Sequence, residues 1–121
     1  MEAPGYRKLA VWQKAHAFLR AVLHATKEFP RSDESRIIKT QLLRAAMSVP
    51  ANIVEGYGGQ RGKSFTRYLR LSRGSSWEAD YWLLLSKELG LIDEDAHREV
   101  HGLCHEVIAM LTSAIQKQER S

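Results

Sequence analysis

Apolar residues recur every three or four positions along most of the chain, the period of helices that each bury one face. The first such segment runs over about residues 6–27, with Leu9, Trp12, Ala15, Leu19, Val22 and Thr26 along one face. Phe29-Pro30 closes it, because a residue before proline is pushed out of the helical region. Ser32 or Asp33 is placed to cap a second helix, whose face carries Ile38, Leu42, Ala45, Val49 and Ile53. That spacing passes through Pro50 without losing register, which two helices separated by a loop rarely do. Pro50 cannot donate to the carbonyl of Ala46, and its ring crowds that carbonyl. The pattern therefore predicts one helix, kinked at Pro50 and ending near Glu55, with Gly56 as a left-handed cap and a glycine-rich connection over 57–62.

A third helix is predicted over 63–89, with Phe65, Leu69, Ser72, Ser76, Ala79 and Leu83 facing the core and Gly90 closing it. Asp93 caps a fourth, followed by Ala96, Val100, Leu103, Val107, Met110, Leu111 and Ala114. The terminal QKQERS is expected to fray. No strand pattern or internal repeat is present. The expectation is an all-α, antiparallel up-down four-helix bundle, a single domain over residues 1–121 with an ordered core at about 6–116.

Two packing features stand out. Small residues gather on the second helix (Ala45, Ala46, Ser48, Ala51) and on the third (Gly74, Ser75, Ser76), so these stretches are expected to approach closely. A glycine inside a helix costs about 1 kcal/mol against alanine, which gives Gly74 a packing reason. Tyr81, Trp82, Leu83, Leu84 and Leu85 wrap the whole circumference of the third helix. Only one of those faces can enter the bundle, so the others call for a partner, and self-association is the simplest.

At 121 residues, with 44% apolar content and three prolines, the chain reads as one globular domain. A single cysteine, Cys104, leaves no intrachain disulfide and suits a reducing, cytoplasmic setting. MEAPGYRK lacks the apolar core of a signal peptide, and no wholly apolar run, YWLLL included, exceeds five residues, so no membrane partner is expected. The net charge of +4 is modest, but its distribution is uneven. No acidic residue stands between Glu55 and Glu78, while Arg61, Lys63, Arg67, Arg70 and Arg73 all lie there. The last four fall within about 120° of one helix face, with Tyr57 and Tyr68 near enough to offer stacking surfaces. Such a stripe suits a phosphate backbone; set against this is a solvated face whose arginines pair with neighbouring acids.

Asn52 and Glu55 are read as structural or interface residues, Asn52 satisfying carbonyls beside Pro50 and Glu55 needing a basic partner because it opposes the helix dipole. His97, His101 and His105 form a ladder at intervals of four, a spacing that can chelate a metal, and Glu94 precedes His97 in an ExxH arrangement. Di-iron bundles need a second ExxH, which this chain lacks. The ladder is therefore read as three exposed histidines, and no metal or cofactor is assigned. Cys104 is expected to be a small, half-buried hydrophobe. No phosphate loop, dinucleotide fingerprint or serine-centred motif occurs, and no catalytic residue is assigned.

LAVWQKAH, EFP, QLLRAAMSVPANIVEG and FTRYLRLSRGSSWEAD together resemble the 23S rRNA-intervening-sequence proteins over about residues 6–116. These are small bacterial four-helix-bundle proteins first noticed inside insertions in ribosomal RNA genes. They are related to the accessory variability proteins of diversity-generating retroelements, which form basic pentamers that bind nucleic acid and a reverse transcriptase. The resemblance implies a homopentamer without established enzymatic activity. Pro50, Asn52, Glu55, Gly56, Gly74, Ser75 and Glu78 keep the pattern; Ser72 stands where alanine is usual and Asp80 where glutamate is frequent. The combined expectation is a non-enzymatic homo-oligomeric scaffold that contacts RNA or DNA through the third-helix stripe. The alternative is an assembly that recruits a protein partner, with Pro50, Asn52, Glu55, Gly74, Tyr81 and Trp82 serving structure or interface in either case.

Overall fold

The computed structural model describes residues 5–59 and 63–120. A short 3-10 turn, Gly5–Lys8, precedes four α-helices: α1 Ala10–Thr26, α2 Asp33–Gly59, α3 Lys63–Glu88 and α4 Glu94–Glu119. The described residues contain no strand, and none of the helices is long and apolar enough to cross a membrane.

Each helix boundary has a local cause. The expected first helix breaks at its start, where Leu9 is extended (φ −75°, ψ 123°) and Tyr6 turns back to meet the edge of Trp12, ring centroids 5.2 Å apart. Of the two candidate caps for α2, Ser32 takes the role, its Oγ accepting from the Ser35 amide at 3.1 Å. Asp93 caps α4, accepting from the Ala96 amide at 2.7 Å. Gly90, with φ +72°, ends α3 as expected. The Leu91 amide reaches the Ser86 carbonyl at 2.9 Å and the Gly90 amide reaches that of Lys87 at 3.1 Å, so two orphan carbonyls are satisfied.

Helix α2 runs unbroken through Pro50 and on to Gly59. Ending it near Glu55 with Gly56 as a left-handed cap was therefore wrong: among the described residues only Gly90 has positive φ. Gly56 serves a different need. A Cβ there would come within 2.7 Å of Tyr68 Cβ and 3.1 Å of Phe65 Cδ1, so the absence of a side chain is what lets α3 pass this close. Beside Pro50, the Asn52 amide donates to the Ser48 carbonyl at 2.8 Å and the Ser72 hydroxyl donates to the Val49 carbonyl at 2.7 Å. Asn52 thus supports the backbone near the proline, although not at the carbonyl of Ala46.

The core lies where the four helical faces meet, with α1 against α2 and α4, and α3 against α2 and α4. Val49 meets Ser72 and Arg44 meets Glu78, so residue numbers rise along α2 as they fall along α3. The expected α2 and α3 faces are buried as read, except that Phe65 is only partly covered. On α1 the buried stripe is Val11, Ala15, Phe18, Val22 and Thr26, rotated from the expected one, with Trp12 left at the edge to stack on His16. On α4 the stripe centres on Val100, Cys104, Val107 and Leu111 rather than on Leu103. Each fully buried leucine or isoleucine contributes roughly 1.5–3 kcal/mol relative to exposure.

Candidate functional site

The small-residue contact between α2 and α3 is seen at Ser72, whose hydroxyl donates to the Val49 carbonyl; Ala45, Ala46 and Ser76 are, like Ser72, fully buried. Gly74 is not part of it, contrary to expectation: it faces outward, and a Cβ added there would meet nothing within 4 Å. Helical phase explains this, since Gly74 stands two residues from both Ser72 and Ser76 and so points away from them. Around Gly74 large apolar side chains share the surface with Arg70 and Glu78, one turn away on either side. Leu71, Trp77, Tyr81 and Leu84 are all exposed, Trp77 by 50% and Tyr81 by 54%. Trp82 is half-buried and donates from Nε1 to Glu78 Oε2 at 3.0 Å, while Glu78 also pairs with Arg44 of α2. Beyond that pair, α2 adds exposed Ile37 and Met47. The surplus apolar surface expected from YWLLL is therefore present and extends over two helices.

The basic stripe is divided. Arg67 is exposed, its guanidinium 5.3 Å above the ring of Tyr68. Arg70 pairs with Glu119 of α4, and Arg73 donates to Thr112 Oγ1 at 3.3 Å. Arg61 lies outside the described residues, and of Lys63 only its place at the start of α3 is described. Pro50 is buried and Asn52 half-buried in the α2 backbone support; Glu55 is exposed. Because α2 continues to Gly59, Glu55 no longer occupies the last turn, which weakens the helix-dipole argument for a partner.

The histidine ladder departs most from its sequence reading. His97 is buried, while His101 and His105 turn toward Asp80 of α3. Burial chiefly lowers the pKa of His97, helped by the nearby positive charges of Lys87 and His101 and opposed by Asp80. Along the ladder the His97 and His101 rings stack at 5.5 Å, and those of His101 and His105 meet tilted at 4.2 Å. Trp77 meets His105 edge-on at 5.5 Å. A solvent-open groove of about 500 Å³ continues between α3 and α4 past Leu84, Lys87, Glu94 and Arg98. Asp80 carried no sequence signal as a histidine partner, because a helix-to-helix contact at a separation of 25 residues has no local period.

Cys104 is fully buried, with Sγ donating to the Ser76 carbonyl at 3.3 Å. Burial, aided by the negative charge of Asp80, pushes its thiol pKa up to about 12. A thiol held protonated and out of reach is a packing group rather than a nucleophile.

No functionally curated protein matches the chain. A solved structure of a protein of unknown function from the S23 ribosomal protein family, from Bacteroides thetaiotaomicron VPI-5482, shares the fold with a TM-score of 0.81 at 24% identity, covering 88% of this chain and 98% of that one. The model of the 23S rRNA-intervening sequence protein family matches residues 7–113. The chain belongs to the 23S rRNA-intervening sequence protein family.

Proposed function

We propose that this protein is a non-enzymatic homo-oligomeric scaffold of the cytoplasm, a ring of five as the family resemblance implies, whose basic surface contacts RNA or DNA. The observation that carries the reading is the exposed glycine at the centre of an exposed apolar strip. Among the described residues Gly74 has no neighbour that requires it, yet it costs its helix about 1 kcal/mol. A second copy packing over Leu71, Gly74, Trp77 and Tyr81 accounts for both. A half-exposed tryptophan or tyrosine offers on the order of 100 Å² to a partner, roughly 2–3 kcal/mol each at 25 cal/mol per Å². Several such side chains per subunit are needed, because association costs at least about 4 kcal/mol in lost freedom.

The nucleic-acid contact rests on Arg67 first, exposed and backed by an aromatic ring. Arg61 and Lys63 extend the same basic stretch in sequence. Arg70 and Arg73 must leave partners on α4 to join it, which favours the second reading, an assembly that recruits a protein. Binding of labelled single-stranded RNA and duplex DNA over a salt series separates the two. Phosphate contact gives a log–log slope of about −0.7 per contact on single strands, and Arg67→Glu makes it shallower by about that amount for each engaged subunit. Negligible binding at low salt, or a slope unmoved by charge reversal at 61, 63 and 67, rejects the nucleic-acid role and leaves the protein-recruiting scaffold.

A further inference from the structure

We propose that Asp80, His101 and His105 form a binding site for a divalent transition-metal ion of the zinc class, joining α3 to α4. One ligand atom from each residue can be chosen so that all three lie within 4.8 Å of one another. Asp80 Oδ1 stands 3.0 Å from His105 Nε2 and 3.8 Å from His101 Nε2. Neighbouring ligand atoms around tetrahedral zinc, with bonds of about 2.0–2.1 Å, are roughly 3.3 Å apart, between these two values. Two of the three ligand-atom pairs therefore already stand near the separation an ion requires, and the third lies within 4.8 Å.

The chemistry of the donors selects the ion. Two imidazoles and one carboxylate suit zinc, nickel and copper, whereas calcium and magnesium demand oxygen ligands. The side chain of Asp80 is 23% exposed and those of His101 and His105 47% and 40%, so an ion can enter from solvent and keep water in its remaining positions. Ring stacking of His101 on His97 and the edge of Trp77 against His105 restrict both ligand rings. Glu94 adds negative charge to the adjoining groove, and Lys87 and Arg98 oppose it. The competing account is that Asp80 only ties His105 to α3 by a hydrogen bond. In that account zinc has nothing to complete. The third ligand separates the two: an i, i+4 histidine pair is common on exposed helices, but here a second helix supplies a carboxylate at bonding separation.

The test uses the full chain purified without a histidine tag and stripped with chelator. Zinc is titrated by calorimetry and cobalt by visible absorption at about pH 7.5. The expected result is saturation at one ion per chain, with cobalt bands of a four-coordinate site. Asp80→Asn, His101→Gln and His105→Gln should each weaken binding by roughly tenfold or more, while His16→Gln and His24→Gln leave it unchanged. Asp80→Asn preserves shape and His101 is exposed, so both variants should keep wild-type helical circular dichroism. Copper should also quench the fluorescence of Trp77 in the wild type and not in Asp80→Asn. Absence of saturable binding, or binding equally strong in Asp80→Asn, overturns the site.

Discussion

Two glycines with opposite surroundings make the sharpest test at the scale of single residues. Gly56→Ala places a methyl group 2.7 Å from Tyr68 Cβ, so α2 and α3 must separate, and a loss of about 1–3 kcal/mol in denaturant unfolding is expected. Gly74→Ala meets open space among the described residues. It should raise the stability of an isolated subunit by up to about 1 kcal/mol and at the same time weaken assembly, two changes of opposite sign read by unfolding and by sedimentation. Sequence could not tell these glycines apart. Both sit near small residues, and only the helical phase relative to the neighbouring helix separates a buried glycine from an exposed one. Cys104 gives a second check: with its pKa raised to about 12 it should resist a thiol-specific disulfide reagent at about pH 8 until the protein is unfolded. Rapid labelling of the native protein would contradict its burial.

Among the elements, α2 holds the most unusual arrangement, a proline tolerated far from either helix end. Two side-chain donors, Asn52 and Ser72, reach carbonyls immediately before it. Ser72→Ala removes the one that comes from α3 and should cost about 1 kcal/mol, measured as a shift in unfolding midpoint without change in slope. The apolar period made α2 and α3 legible because their stripes are long and uniform. It misplaced the α1 and α4 stripes, where Trp12 and Leu103 drew the expected face toward large residues while Phe18 and Cys104 occupy the centre. Side-chain size is not burial: a tryptophan at the edge of a stripe fits a periodic template as well as one at its middle. The helix boundaries were readable wherever a side chain or glycine acts locally, at Ser32, Gly90 and Asp93. They failed at Gly56, where a contact distant in sequence decides.

For the molecule as a whole, the sequence pointed to surplus apolar surface and to a basic stretch, and the structure gives these different standings. The apolar surface is larger than YWLLL alone suggested, since Leu71 and Trp77 join it from α3 and Met47 from α2. The basic stretch is narrower, since Arg70 and Arg73 are engaged with α4. No one-chain sequence pattern could reveal those pairings, because Glu119 lies 49 residues from Arg70. A scaffold whose subunits meet through α3 would bring Arg67 of each copy onto a common assembly, where weak phosphate contacts combine through avidity. Disrupting assembly should therefore reduce nucleic-acid affinity even when every arginine is retained. Tyr81→Asp tests that coupling in the same salt series.

The most direct measurement of the central claim is the mass of the native protein at micromolar concentration, compared between wild type and Trp77→Asp/Tyr81→Asp. The account predicts a wild-type species of five 13.8 kDa chains and a double variant that is monomeric yet equally helical. A wild-type protein that stays at the mass of one chain across that range would contradict it.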